Sequence, residues 1–420
     1  MNTPIFIHRL ASADQEVFLK ANAINKSATS GKSFASTSRS LKVVMVDSHG
    51  AIERGGAVQC ALLAGGLARR GYRITCIFDG VPGKVIESVA FRKLRNTGIN
   101  IIPMPLGNLT GMLRFRRFLN IELPDIIHTH KNRALFFVYL ATIGMSRPPW
   151  AANRGTVYPL SRNPIAHYIH HRHVDCIMAV SHAVRNSLLD DGIPKERVEV
   201  VYGSFDPQRF HPQVERKTMR RKWLISENTP VVGMVGSLKT PKKGHRVFLK
   251  AGKLLMQKRP HLKIVLVGEG NPRSLKTLAV SLGISDRVVF AGFIEDIPSA
   301  LAAMNVVVCA SLRGEGLTGA VREAMAMTRP VVSTDVAGNR ELVVSEKTGL
   351  LVPPGEPDAL ARAVEKILDN PVLAARYGKR GRHRVIELCA EDVRLDRVES
   401  IYQTLLSLSY SNSHFKKISL

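Results

Sequence analysis

Arg313-Gly-Glu-Gly-Leu-Thr-Gly-Ala-Val-Arg-Glu-Ala-Met-Ala-Met-Thr-Arg-Pro-Val-Val332 is the stretch that decides the fold. The apolar run before it, Val306 to Cys309, reads as a buried strand of a parallel sheet. The Gly-rich residues form a turn, and the small and apolar residues after them a helix. That helix stops before Pro330, because the residue preceding a proline is pushed out of the helical region. Val331 and Val332 begin the next strand. Strand, turn, helix and strand make a parallel crossover, and such sheets bind ligands at the carboxyl ends of their strands.

Two acids lie in this unit, Glu315 in the turn and Glu323 about two turns into the helix. Gly314 and Gly316 leave room for a ligand to approach the backbone beside Glu315. The amides of Gly316, Leu317 and Thr318 open the helix and suit an anion. An acid next to them can bond hydroxyls while the amides hold phosphate. Glu323 is placed to hold a diol such as a ribose. Taken singly, either acid is explained as a helix cap or a surface charge; the constellation favours a ligand.

Glu315-Gly-Leu and Glu323, eight positions apart, resemble the Glu-x7-Glu motif of retaining glycosyltransferases of the GT-B fold, and family 4 (glycosyl transferases group 1) in particular. The resemblance extends over roughly residues 41 to 405. It implies an α/β protein of two doubly wound, Rossmann-like parallel-sheet domains facing a cleft. It implies a nucleotide-diphosphate sugar as donor, with no metal required. Glu315 would then meet the donor sugar and Glu323 the ribose.

The 420 residues suffice for two domains with sizeable cores. A hydrophobic content of 45% indicates a globular chain. The net charge of +26 is spread over both halves, so there is no basic tail on a neutral body. It favours anionic partners: phosphorylated substrates, nucleic acid or an acidic membrane face. Five cysteines without metal-type spacing suggest a reducing compartment and small buried side chains. No stretch approaches the length of a membrane span. The expected location is cytoplasmic, with any membrane contact peripheral, at the inner face. Residues 1–40, rich in Ser, Thr, Lys and Ala from Ile24 onward, read as a mobile extension.

From Leu41 strands and helices alternate, as in a doubly wound sheet. Strands are expected at Val43–Val46, Ile74–Phe78, Ile101–Pro103, Ile126–His128, Trp150–Asn153, Cys176–Val180 and Val198–Val201. The first loop, 47–56, lacks a dinucleotide Gly-x-Gly-x-x-Gly fingerprint. Gly55-Gly56-Ala57 instead opens a helix and resembles the family's Gly-Gly loop, which puts Gly56 near the donor phosphates or the acceptor; a flexible helix start explains it equally well.

His128 and His130 alternate onto one side of their strand. With no third metal ligand near, they are structural residues or a functional pair. They resemble the family's His-x-His, which makes His130, further out of the sheet, the residue that meets the donor sugar, with His128 in support. Lys131 and Arg133 follow, and Arg154 ends the neighbouring strand; Arg154 and Lys131 are candidates for an anionic acceptor, or solvated loop charges. Met112 to Leu119 is a basic, aromatic helix. It suits an anionic bilayer surface, or packs Leu113, Phe115 and Phe118 on the sheet.

Tyr202 to Phe210 resembles the family's interdomain crossing, with Tyr202 in place of Asn and the boundary near Pro207, dividing the chain into 41–206 and 207–390. In the second domain, the loop after Val231–Val235 matches the family at Lys243-Gly244, but Ser237 replaces the diphosphate-binding Arg. Lys239 or Lys242 is a candidate for the missing charge, though a lysine lacks the bidentate fork. Gly268 and Gly270 resemble the turn that lets the backbone pass close to the nucleotide, and Phe293 lies in the turn that holds the base in relatives. Glu391 to Leu406 reads as a helix crossing back to the first domain, within a tail of 391–420 whose end is expected to fray.

The reading is a retaining glycosyltransferase using a sugar nucleotide, with a glycan or lipid-linked acceptor in lipopolysaccharide or other cell-surface polysaccharide synthesis. An NAD(P)-dependent oxidoreductase is opposed by the missing fingerprint. A non-catalytic nucleic-acid-binding protein is suggested by charge alone, without zinc spacing or a recognition helix.

Overall fold

Two parallel sheets, each built from Val- and Ile-rich runs, present the carboxyl ends of their strands to one another. The computed structural model describes residues 40–50, 55–80 and 94–418, with side chains described to 409. The extension expected at 1–40 therefore lies outside the described residues save Ser40, as do 51–54 of the first loop. Residues 41–420 cluster as one compact unit.

The first sheet comprises β1 (Lys42–Asp47), β2 (Arg73–Asp79), β3 (Asn100–Met104), β4 (Ile126–His130), β5 (Trp150–Arg154), β6 (Cys176–Ala179) and β7 (Val198–Val200). Its order is β3-β2-β1-β4-β5-β6-β7. The second comprises β8 (Val231–Val235), β9 (Lys263–Val267), β10 (Val288–Gly292), β11 (Val306–Cys309), β12 (Val331–Thr334) and β13 (Leu350–Val352). Its order is β10-β9-β8-β11-β12-β13. Both sheets reverse direction beside their first strand, at β1/β4 and at β8/β11. Loops on either side of such a reversal diverge and leave a crevice at the strand ends. The expected strands are all present; β1, β2, β3 and β5 run a residue further at one or both ends, β4 reaches His130, and β6 and β7 stop a residue early.

Register brings the polar strand ends together. His128 pairs with Met45, and His130 lies between Asp47 on β1 and Asn153 on β5. Val201 packs in the core of the first lobe and Phe205 in that of the second. The chain thus crosses at 202–204, slightly ahead of the boundary expected near Pro207. It returns through the helix Glu391–Ile418, which extends beyond the expected Leu406. Leu395, Val398, Ile401, Tyr402 and Leu405 of that helix complete the first lobe's core against Val43 and Met45.

The basic helix spans Leu109–Glu122, capped by Asn108, whose side chain accepts the Gly111 amide at 2.9 Å. Phe115 and Leu119 are buried, and Phe118 packs against that core. Leu113 does not pack on the sheet as expected: it is 58% exposed, alongside Leu109, Ile121 and Leu123. Residue 113 falls on the solvent side because Phe115 and Leu119, one turn apart, set the buried stripe.

Candidate active site

Glu315 lies at the second sheet's reversal point, and the groups around it come from both lobes. Its Oε1 accepts from Lys243 Nζ at 2.7 Å and from Ser311 Oγ at 3.2 Å. Lys243 ends a short turn after β8, and the Leu312 amide donates to the Lys242 carbonyl at 2.7 Å, tying that turn to the Glu315 loop. Among the described residues no acceptor meets the amides of Gly316, Leu317 or Thr318. The Thr318 hydroxyl does not cap the helix Gly319–Ala326; it donates to Asn339 Oδ1 at 2.7 Å. Asn339 is fully buried and in turn donates to Ser333 Oγ at 3.0 Å. This network fixes the turn while leaving its amides bare, and bare amides at a helix start favour an anion.

The turn faces the opposite lobe closely. A side chain at Gly314 would come within 2.2 Å of the Tyr158 hydroxyl, and one at Gly316 within 2.3 Å of the Gly155 carbonyl. Lys242 lies over the Tyr158 ring at 5.7 Å. Arg154 is buried, and its guanidinium donates to the Tyr158 carbonyl and weakly to Asn132, so it braces this loop. Glu323 keeps a partly accessible side chain, with Arg322 Nη2 at 3.9 Å. Burial raises its pKa against the pull of Arg322 and Arg209.

Across the cleft, His130 stacks on His128 with ring centroids 4.5 Å apart. The Asn153 amide donates to His130 Nδ1 at 2.7 Å, which leaves the proton on Nε2. Burial holds His130 neutral, its pKa well below the ordinary value. His128 Nδ1 meets the Tyr402 hydroxyl at 2.6 Å, so His128 is anchored from beneath by the last helix. Its pKa falls to about 3, mainly through burial. Lys131 Nζ contacts His49 Nε2, whose Nδ1 bonds Asp47 Oδ1 at 2.5 Å. Gly56 lies under these groups: a Cβ there would be 3.1 Å from His49.

A strand-loop-helix match across both lobes supplies the decisive comparison. Residues 229–370 match the family model described as glycosyl transferases group 1, and residues 54–209 match that of glycosyltransferase family 4. An alpha-D-kanosaminyltransferase of Streptomyces kanamyceticus is 31% identical over 65% of this chain and 75% of its own length. A GDP-mannose-dependent alpha-mannosyltransferase of Mycobacterium tuberculosis (strain CDC 1551 / Oshkosh) is 31% identical over 73% of this chain and 79% of its own. The chain belongs to glycosyltransferase family 4. A shorter match, 30% identical, spans 57% of a Bacillus subtilis (strain 168) relative. In fold, the transferase is similar to Anabaena Alr3699/HepE, crystallised with UDP and glucose: TM-score 0.76, 20% identity, 86% of this chain and 99% of that one. Family membership supersedes the oxidoreductase and nucleic-acid readings.

Within the transferase, Glu315, Lys243, Gly316, Leu317 and Thr318 come together as the sequence suggests. Lys239, a candidate for the charge missing at Ser237, pairs its exposed Nζ with Glu269 at 3.2 Å. Lys242 is turned to Tyr158, which leaves Lys243 as the lysine of that loop directed at Glu315. Gly268 and Gly270 do serve close approach, but of the neighbouring loop: their added Cβ atoms would lie 2.0 Å from the Gly236 carbonyl and 2.9 Å from the Lys239 amide. Both glycines have positive φ, 157° and 125°. Phe293 stands 59% exposed beyond β10. Asp47, His49, Tyr158, Asn339 and Glu341 escaped the reading of the sequence. Only the first two carried a signal, as polar residues at the end of a strand beside the reversal point.

Proposed function

We propose that the enzyme transfers a sugar, with retention of configuration, from a nucleotide-diphosphate sugar to a glycan or lipid-linked acceptor. The observation that carries this reading is the Glu315 turn, where a lysine meets the carboxylate beside three bare amides at the lobe boundary. Lys243 and the amides of Gly316, Leu317 and Thr318 oppose the charge that grows on the leaving diphosphate. As Lys243 engages the diphosphate, Glu315 is released to accept from hydroxyls of the donor sugar. Glu323 takes the ribose hydroxyls, and Phe293 and the loop at Gly268 and Gly270 border the base. His130, neutral and protonated on Nε2, donates to the sugar from the other lobe. Lys131 and Arg154 lie toward the acceptor. The donors named for the relatives, GDP-mannose and UDP-linked glucose, support this class without choosing the base.

The acceptor we infer is a cell-surface glycan, lipopolysaccharide core included, reached at the inner face of an anionic membrane. Among the described residues no helix is long and apolar enough to cross a membrane. Exposed Leu109, Leu113 and Ile121 share one helix with exposed Arg114 and Arg117, and exposed Leu123 follows it directly, a pattern suited to an acidic lipid surface. Sedimentation with vesicles should depend on acidic lipid and fall with salt; indifference to both removes the membrane contact.

The transfer itself is tested with Glu315→Ala and a panel of sugar nucleotides. Wild-type protein should gain heat stability with a UDP- or GDP-sugar and none with NAD. The variant should fold and lose transfer; a variant working at the wild-type rate refutes the assignment.

A further inference from the structure

Two buried arginines at the foot of the cleft have no use in the reading above. Arg322, one residue before Glu323, is 4% exposed, and its Nε meets no partner. Among the described residues its one acid contact is Glu323, at a loose 3.9 Å. Arg394 enters from the returning helix and is 6% exposed. Its Nη1 donates to the Gln59 carbonyl at 2.9 Å, to Gln59 Oε1 at 3.2 Å and to Ser204 Oγ at 3.4 Å, while its Nε is also orphaned.

The two guanidiniums belong to one site. A Cβ at Gly203 would lie 2.6 Å from Gln59 Oε1 and 2.8 Å from Arg322 Nη1, so Gly203 is wedged between the two arginines' surroundings. Arg322 and Arg394 repel one another, which adds to burial in bringing the Arg394 pKa down to about 10. Arg394 also depresses His128 and His130. The pair thus sits between Glu323 and the histidine stack, where both chain crossings meet.

Buried charges are ordinarily paired, since an unpaired one costs several kcal/mol. Arg394 has neutral oxygens on one Nη and none on Nε, and Arg322 has one loosely held acid, so neither fork faces the paired anionic oxygens that it matches. We propose that Arg322 and Arg394 form a binding site for an oxyanion, a phosphate or carboxylate carried by the sugar or acceptor substrate at the foot of the cleft. The inference deepens the proposed function by giving the substrate a negative group beyond the donor diphosphate. It uses residues separate from Lys243 and the Glu315 turn.

The test compares wild type, Arg322→Met, Arg322→Lys and Lys243→Met, titrated with inorganic phosphate, a hexose phosphate and the matching neutral hexose by heat stability and calorimetry. Wild type and Lys243→Met should bind phosphate alike, and Arg322→Met at least about tenfold more weakly. Arg322→Lys should fall between, with the charge kept and the fork lost. The hexose phosphate should bind more tightly than inorganic phosphate, and the neutral hexose should not compete. Without ligand, Arg322→Met should be as stable as wild type or more so, because removing an unpaired buried charge relieves repulsion.

Loss of phosphate binding in Lys243→Met alone overturns the site, since the anion then sits in the donor turn. So does a ligand-free Arg322→Met that is markedly destabilised, which makes the arginine a structural group. Equal affinity for free and hexose-borne phosphate overturns the substrate-borne part. If no sugar nucleotide binds while the Arg322-dependent phosphate binding persists, the donor reading fails and this site stands.

Discussion

The Tyr202 hydroxyl, at the crossing between lobes, donates to Glu341 Oε2 of the second lobe at 2.8 Å. The same carboxylate accepts the backbone amides of His182 and Ala183, both at 2.9 Å, at the start of the first-lobe helix His182–Asp190. A carboxylate at a helix start is favoured by the macrodipole, and each charge-assisted bond contributes about 1.5–3 kcal/mol. Glu341 therefore ties the two lobes together. Glu341→Ala should raise hydrogen exchange at the His182 and Ala183 amides by about tenfold or more and increase the radius of gyration in solution. Unchanged protection of those two amides would show that other contacts hold the lobes.

In the function proposed, the Lys243–Glu315 pair would hold the charge for the donor diphosphate in reserve. Both side chains are largely shielded, so the pair is worth more than a surface ion pair. Lys243→Met should weaken sugar-nucleotide binding by about 2 kcal/mol or more, a charged hydrogen bond's worth. The remaining Glu315 would then repel the diphosphate. Titration calorimetry with UDP and GDP measures the change. A double variant with Glu315→Gln should recover part of the lost affinity for the nucleotide alone, because the unpaired acid is gone.

Acid should unfold this protein through its buried histidines. Burial lowers His128 to about 3, and His170 and His245 to about 4, from an ordinary 6.5. Below 6.5 the unfolded chain takes up protons that the folded chain refuses. Stability therefore rises with pH across this window and falls as pH drops from about 6.5 toward 4, by up to about 1.4 kcal/mol per unit for each histidine. Denaturant midpoints at pH 7, 6 and 5 should decline steeply. Replacing His170, whose Nδ1 meets the Ala166 carbonyl of its own helix at 2.7 Å, with Gln should flatten the slope. A flat profile in the parent would mean these imidazoles titrate normally.

The parallel sheets were legible because Val- and Ile-rich runs such as Val231–Val235 and Val306–Cys309 are bounded by glycine turns, a local pattern. The Glu315 turn was legible for the same reason: its parts are adjacent in the chain. What stayed hidden depends on pairing between distant segments. Nothing near Lys239 announces Glu269, 30 residues on, as its partner. Tyr402 reaches His128 only because the last helix packs under β4, and Glu341 meets the His182 helix only because the two lobes abut. Leu113 illustrates the limit within one helix. Its neighbours fix which stripe is buried, and several apolar residues compete for it.

The returning helix is held to the first lobe by two kinds of contact, and their magnitudes rank them. Arg70 meets Asp392, Asp396 and Glu399, and Arg69 meets Glu391; Arg69, Asp392 and Asp396 are open to solvent and the other three are part-buried. Exposed pairs contribute about 0–1 kcal/mol each and fade with salt. Leu395, Val398, Ile401, Tyr402 and Leu405 are nearly or fully buried, at about 1.5–3 kcal/mol apiece. Their sum rivals the whole stability of a typical domain, about 5–15 kcal/mol. Arg70→Ala should therefore lower the thermal midpoint only slightly, and less in high salt. Val398→Asp should unfold the first lobe, seen as loss of protection in β1 and β2, with the second lobe's β8 and β11 still protected. If Arg70→Ala proves the more damaging change, charge rather than burial docks the helix.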